Sequence, residues 1–441
     1  MMAPTVKPHP KVRAGEGPLG IMLPGLGAVA TTFIAGVMAV RRNLAKPIGS
    51  LTQLQTIRLG ARSENRSPRI REFLPLADLE DLRFAAWDLH GENALQVARR
   101  SAVLESSMLD TLAPALERIT PYKAVFSNEY VRMLKGDHVK QGANKRELAE
   151  ALRADIRDFK QREGLSRVVV LWTGSTEVFR KPSEVHRSVS AFEAAMEKND
   201  PEISPAMLYA WAAIKEGCPY ANGAPNLALE TPALTQLAID EGVPIAGKDF
   251  KTGQTLIKTV LAPMLKIRML GLNGWFSTNI LGNRDGEVLL DPDSFKTKEE
   301  SKLDVLKTIL QPDMYPELYK EIHHMVRINY YPPRGDAKEG WDNIDLFGWM
   351  GYPMQLKVNF LARDSILAAP LVLDLVLLLD LAKRSGLSGA QDWLSFYFKT
   401  PQSSQPGVPA EDDAFIQHRA LKNMMRWIGG EKPLTHMDFD S

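Results

Sequence analysis

One cysteine, Cys218, stands in 441 residues, so no internal disulfide can form and no thiolate-rich zinc or iron–sulfur centre can be assembled. Such usage fits a reducing cytoplasm, with Cys218 as a small core hydrophobe. Net charge is almost as scarce. Fifty-four basic against 53 acidic side chains leave +1, which creates no overall field for nucleic acid or an anionic membrane. Any anion site must therefore be local. An unbroken membrane-length run is missing too. Leu19 to Val40 carries no charge, but Pro24, Gly25 and Gly27 interrupt it, and Arg41–Arg42 follow it where a signal peptide has its basic residues in front. Ala368 to Ala382, 15 residues with two carboxylates inside, is too short and too charged to span and reads as a buried helix. No repeat is visible. His323 and His324 are read as surface histidines, because neighbours on a helix do not face one ligand and no third partner stands at metal spacing.

What is present is enough apolar material, 44% of the residues, for more than one core in a chain of this length. Residues 1–16 are polar and Pro/Gly-rich and predict a mobile arm. Leu19–Leu23, Leu82–Leu89, Val168–Thr173, Val243–Ala246, Leu272–Ile280 and Met325–Tyr331 read as strands. Helices are predicted over Ala28–Leu44, much of Ala94–Glu163, Pro205–Gly217, Thr255–Leu265, Leu303–Leu310 and Pro316–Glu321. A run such as Val168–Thr173, apolar on both faces, belongs in a parallel sheet. Alternating strands and helices of these lengths imply βαβ units and an α/β fold.

Three segments carry candidate chemistry. Gly25-Leu26-Gly27-Ala28-Val29-Ala30 fits G-x-G-x-x-A between a strand and a helix. There the first glycine makes the turn and the second lets backbone N–H groups approach a pyrophosphate. The ribose carboxylate expected about 20 residues on is best supplied by Asp88, which stands 61 residues after Gly27 and so requires an insertion. A plain loop is the other account of the same residues. Second, Gly247-Lys248-Asp249-Phe250-Lys251-Thr252-Gly253-Gln254-Thr255, followed by Lys258, is a donor-rich loop feeding a helix N-terminus. If the helix includes Lys251, the spacing of seven puts Lys251 and Lys258 nearly on one face. Mutual repulsion would then lower the pKa of one lysine and suit it to proton transfer. A solvent-facing pair is the alternative. Third, Asn222–Asn226 and Asn279–Gly286 are polar interruptions that could be turns alone.

Taken in order, PGLGAVATTF, AAWDLHG, LWTGSTEVF, EGCPYANGAPN, AGKDFKTGQTLIKTVLAPML, STNILGNRDG and RDSILAAPLVLDLVLLLDL resemble the inositol-3-phosphate synthase family, in its prokaryotic form. The resemblance implies a Rossmann NAD-binding domain, residues 17–203 plus 358–441, completed by the C-terminal segment. It also implies an inserted α+β catalytic and oligomerising domain, 204–357, in a homotetramer. The implied reaction turns glucose 6-phosphate into inositol phosphate through oxidation of C5 by NAD, enolisation at C6, aldol closure onto C1 and return of the hydride. The family's pattern assigns the cofactor to Gly25, Gly27, Ala28, Val29, Asp88, Thr173, Ser175, Thr176, Asn222 and Asp249. It assigns catalysis to Lys251, Lys258, Asp249, Asn226, Asp336 and Lys383, with no metal ligand set. Two departures stand out: Lys248-Asp249 where relatives have two aspartates, and Thr278-Asn279 where they have Tyr-Asn. The competing expectations are another Rossmann oxidoreductase with an inserted substrate domain, of the homoserine dehydrogenase kind, and an NAD-binding regulator without catalysis.

Overall fold

The computed structural model describes residues 8–303, 305–405 and 407–435. Its first sheet has seven strands: β1 (Leu19–Pro24), β2 (Leu82–Asp88), β3 (Tyr122–Lys123), β4 (Arg167–Trp172), β5 (Tyr220–Asn222), β6 (Pro244–Gly247) and β11 (Gly389–Ala390). Their order is β11-β6-β5-β4-β1-β2-β3, and every pairing is parallel. Read from β3, this is the doubly wound dinucleotide-binding order with one strand added from the C-terminal segment. The second sheet is mixed and runs β10 (Pro353–Arg363), β9 (Ala337–Phe347), β7 (Gly271–Leu281), β8 (His323–Tyr330). The α/β expectation therefore holds.

The first sheet is buried on both sides because its strands are apolar on both faces. Leu19, Ile21, Leu23, Val169 and Leu171 enter one core, while Met22, Val168, Val170 and Trp172 enter the other. Helix α1 (Ala28–Arg41) covers the first face, and α2 (Lys145–Glu163), α3 (Pro205–Lys215) and α4 (Pro232–Asp240) cover the second. Helix α5 (Gly253–Ile267) lies on one side of the second sheet, where Ala262 and Leu265 meet Trp275 and Ile344. The opposite side of that sheet is open and exposes Phe276, Trp341 and Leu361.

Helix α6 (Asp364–Arg384), followed later by α7 (Ala414–Ile428), returns the chain to the first core. Over 21 residues it is longer than the predicted stretch, and it is long and apolar enough by composition to cross a membrane. It nevertheless lies against α1 and β4. Its centre holds a carboxylate, Asp374, fully buried. That carboxylate accepts hydrogen bonds from Ser50 Oγ and Thr52 Oγ1 at 2.6 Å each, Leu51 N at 2.8 Å, Thr52 N at 3.1 Å and Tyr397 OH at 3.3 Å. It thus caps the short helix Leu51–Leu54 from another element. An unmet buried donor costs about 1–3 kcal/mol, so Asp374→Ala is expected to lower the unfolding free energy by about 3 kcal/mol or more in urea titration. A loss below about 1 kcal/mol would show that the cluster does not hold the fold.

Several expectations are corrected. Strands β5 and β6 and helices α3 and α4 belong to the first sheet, so the boundary at 203/204 is too early; β5 pairs with β4 through Val170 and Tyr220. Of the predicted mobile arm, residues 1–7 lie outside the described residues, and 8–16 are pinned. His9 Nδ1 meets Trp427 O at 2.9 Å, Arg13 N donates to Arg384 O at 3.0 Å, and Ser166 Oγ donates to Glu16 O at 2.8 Å. The helical stretch predicted from Ala94 to Glu163 is broken into 94–101, 106–116 and α2.

Candidate active site

The carboxyl ends of β1, β4, β5 and β6 face one crevice, at the point where strand order reverses between β1 and β4. The glycine turn forms its floor. Gly25 has φ +95°, and a Cβ there would come within 2.5 Å of Gly174 Cα, so the turn can close onto β4 only with glycine. Thr173 Oγ1 donates to Gly25 O at 2.8 Å, and Leu26 N donates to Asp88 Oδ2 at 2.9 Å. Gly27 is the N-cap of α1, with no side-chain cap and no acidic residue in the first turn. A Cβ on Gly27 would meet nothing within 4 Å. Uncapped N–H groups at Ala28 and Val29, facing open space at the positive end of a helix, fit a pyrophosphate. Asp88 ends β2 beside them. Burial raises its pKa, while the N–H groups of His90 and Leu26 and the charges of His90 and Arg284 pull the other way. These residues fit a dinucleotide, with Asp88 placed for a ribose.

The adjoining walls are loops tied by amides. Asn226 Oδ1 accepts Glu177 N at 2.8 Å and its Nδ2 donates to Ser175 O at 3.2 Å; Asn222 Nδ2 donates to Asn226 O at 2.9 Å. Both ends of the Asn226 amide are engaged by backbone, so it shapes the loop after β4 and holds Ser175 beside Thr176 and Glu177. Glu177 carries a second signal that sequence reasoning passed over. Burial pushes its carboxyl up to about 7, and that carboxyl accepts Ala206 N at 2.9 Å at the start of α3.

The lysine loop follows β6. Helix α5 begins at Gly253 with Thr252 as its N-cap, so Lys251 lies outside it and the one-face geometry expected for Lys251 and Lys258 does not occur. Each lysine finds its own partner: Lys251 Nζ donates to Gln417 Oε1 on α7, and Lys258 Nζ lies 2.8 Å from His324 Nε2 on β8. Both pKa values are lowered, where repulsion was expected to lower only one, and the reason is different. Burial is the largest cause for each, bringing Lys251 to about 7 against the opposing charges of Asp412, Asp413 and Glu411, and Lys258 to about 8 against Asp342. Asp249 is buried, with Lys399 Nζ at 3.0 Å from its Oδ1. The added charge of Lys248 is met by Glu230.

The second sheet closes the crevice. Asp336, just before β9, accepts Asn283 Nδ2 at 3.0 Å and Ser365 Oγ at 2.9 Å, and burial raises its pKa. Two residues on, Lys338 Nζ is 3.2 Å from Asp364 Oδ2, whose other oxygen accepts Thr252 Oγ1 at 2.9 Å. Lys338 from β9 and Lys399 from the C-terminal segment thus reach the loop before α5 that carries Lys251, the first through Asp364 and Thr252 and the second through Asp249. Asn279 donates to Gln254 Oε1, and Gln254 Nε2 reaches Asp342 Oδ2 at 3.0 Å, joining the sheet to the first turn of α5.

Lys383 is not part of this. It sits at the far end of α6, 19 residues beyond Asp364, which at 1.5 Å per residue is about 28 Å away. Its Nζ donates to Gly242 O at 2.7 Å. His324 is corrected in the opposite sense: β8 is a strand, so the two adjacent histidines point to opposite faces, and His324 turns inward to Lys258 while His323 is exposed. Sequence reasoning also missed Lys338, although its i,i+2 spacing from Asp336 along β9 was a usable signal. Lys399 and Gln417 carried no local signal.

Comparison with known proteins agrees with this construction. Residues 19–426 match an NAD-binding family model described as myo-inositol-1-phosphate synthase. Inositol-3-phosphate synthase 1 of Bacteroides thetaiotaomicron is 54% identical over 424 residues, covering 96% of this chain and 98% of the relative. The human inositol-3-phosphate synthase 1 is 34% identical over 95% of this chain and 80% of its own length. The crystal structure of the Caenorhabditis elegans inositol-3-phosphate synthase superimposes with a TM-score of 0.89 at 28% identity, covering 97% of this chain and 88% of that one. Fold, crevice and near full-length similarity lead to one conclusion: this chain belongs to the NAD-dependent myo-inositol-1-phosphate synthase family.

Proposed function

We propose that the chain converts glucose 6-phosphate to 1D-myo-inositol 3-phosphate with no net oxidation. The observation that carries this reading is that Lys338 and Lys399 reach the loop holding Lys251, which follows β6 at the same carboxyl edge of the first sheet as the uncapped N-terminus of α1. Proton transfer and charge stabilisation are thereby brought next to a dinucleotide site. On the open-chain sugar, bound NAD supplies a hydride acceptor for C5 as the C5 hydroxyl gives up its proton, and hydride and proton are both returned at the end of the cycle.

The protein's own groups account for the steps between. With C5 a carbonyl, the C6 proton is acidified, and Lys251, neutral above about pH 7, takes it. The negative charge that develops on the C5 oxygen needs a fixed cation. Lys338 and Lys399, paired with Asp364 and Asp249, fill that need, and they hold the phosphate. C6 then bonds to C1, and the C1 oxygen collects a proton from a lysine. Lys258, brought down to about 8 by burial, faces His324 Nε2 at 2.8 Å beneath the second sheet. Asn222, Asn226 and Asp336 orient loops.

Glucose 6-phosphate carrying deuterium at C5 tests this directly. Inositol phosphate that keeps the label at that carbon supports removal and return of one hydride, whereas label lost into a free NADH pool contradicts it. The exposed side of the second sheet, with Phe276, Trp341 and Leu361 and the turn residues Trp349, Met350 and Tyr352, supports assembly of a homotetramer. A monomer mass in light scattering at micromolar concentration would overturn that. A cytoplasmic location accords with the single cysteine, which is buried, and fractionation of the cells checks it.

A further inference from the structure

Gln417 is completely buried in the first turn of α7. It faces Lys251 across the crevice wall, and its side chain is aimed from both ends. Its Nε2 donates to the carbonyl oxygen of Glu411, so its Oε1 is the atom that meets the Lys251 amine. An amide nitrogen cannot accept from an ammonium, so reversing the side chain would break both contacts. The backbone N of Lys251 is held as well, donating to Tyr397 O at 2.8 Å, and the ring of Phe396 lies 5.5 Å from Nζ.

The charged groups around this pair are turned to other donors. Asp412 accepts Thr308 Oγ1 at 2.5 Å, Asp413 caps α7 through Phe415 N at 2.8 Å, and Glu411 accepts Asp412 N and Asp413 N at 2.9 and 2.8 Å. Asp249 carries Lys399, and the His418 ring faces Gln55 Oε1 at 3.0 Å. The atom in direct contact with Lys251 Nζ is therefore a neutral one, although three carboxylates stand close by.

Resting on the reading that Lys251 transfers the C6 proton, we infer that Gln417 is a positioning residue for this reaction: it fixes the Lys251 amine by a neutral acceptor, leaving it free to lose its proton. A carboxylate in the same place would hold the ammonium charged, since an opposite charge within about 4–6 Å favours the charged form by one to three pH units. Burial, which brings Lys251 to about 7, would then be offset.

The test is the pH dependence of kcat/KM for wild type, Gln417→Glu and Gln417→Met in the full chain with NAD. The acidic limb of Gln417→Glu should move up by one pH unit or more, with roughly tenfold lower activity at neutral pH and unchanged NAD affinity. Gln417→Met, of similar length but without the acceptor, should lower kcat more than it changes KM. If the limb of Gln417→Glu coincides with that of wild type, or Gln417→Met keeps full kcat, Gln417 does not position Lys251. A wild-type chain that forms no inositol phosphate would instead sink the underlying function. Should Gln417→Glu not fold, the kcat of Gln417→Met decides.

Discussion

Lys251→Met is expected to lower kcat by about a thousandfold, within the range of about 10²–10⁴ for loss of a general base, while NAD binding stays at the wild-type level. Lys251 is 4% exposed, so this effect cannot be ascribed to a surface charge. Burial holds the amine at about 7, and a buried cation is a cost to folding that a methionine of similar length does not incur. That gain is opposed by the buried Gln417 Oε1, left without its donor at a cost of about 1–3 kcal/mol, so the net change in stability is expected to be small. Product formation measured next to NAD titration and thermal unfolding separates the two consequences. A variant that keeps a tenth or more of wild-type turnover would remove Lys251 from the chemistry.

The second large effect belongs to the glycine turn. Its two glycines differ in kind. At Gly25, φ +95° and the 2.5 Å approach of Gly174 Cα to a built Cβ mean that any side chain distorts the turn itself. At Gly27 the backbone is ordinary, with φ −102°, and a built Cβ meets nothing within 4 Å. Gly27→Val should therefore leave the fold intact, yet its branched side chain projects into the space where the pyrophosphate must approach the N–H groups of Ala28 and Val29. NAD affinity is expected to fall at least a hundredfold, which corresponds to about 2.7 kcal/mol, with unfolding temperature unchanged. Calorimetric titration measures it. Wild-type NAD affinity in a folded Gly27→Val would mean that the dinucleotide lies elsewhere.

The contrast between those glycines shows what was legible before the structure. A turn between a strand and a helix is a local feature, and the apolar run Val168–Thr173 announced a parallel sheet through its two-sided hydrophobicity. Asp249 and Lys251 were visible for the same reason, as polar residues crowded into one loop. The rest depended on separation along the chain. Lys399 meets Asp249 across 150 residues and Gln417 meets Lys251 across 166, and nothing near either residue marks it. The strap that brings them is backbone pairing: Lys248 N to Thr400 O at 2.9 Å, Lys399 N to Asp249 O at 2.7 Å, and Gln402 N to Gly247 O at 2.8 Å.

Lys383 failed for a related reason. Its place near a family lysine said nothing about which end of a 21-residue helix faces the crevice. The cause assigned to the low lysine pKa values also changed, because spacing in sequence suggests repulsion between lysines, whereas burial shows only when the chain folds around each one. The boundary at 203/204 was misplaced because β5, which joins β6 to the first sheet, has only three residues and was not read as a strand. Strands that short carry little of the hydrophobic periodicity that marks a sheet.

The central claim is a cycle that uses NAD without consuming it, and one measurement addresses it most directly. The purified chain is incubated with glucose 6-phosphate and NAD at a small fraction of the substrate concentration, and periodate-sensitive inositol phosphate and NADH are followed together. Inositol phosphate exceeding the NAD supplied, with no rise in NADH, is the predicted result. NADH accumulating in step with substrate loss, or NAD bound while no inositol phosphate forms, would contradict it.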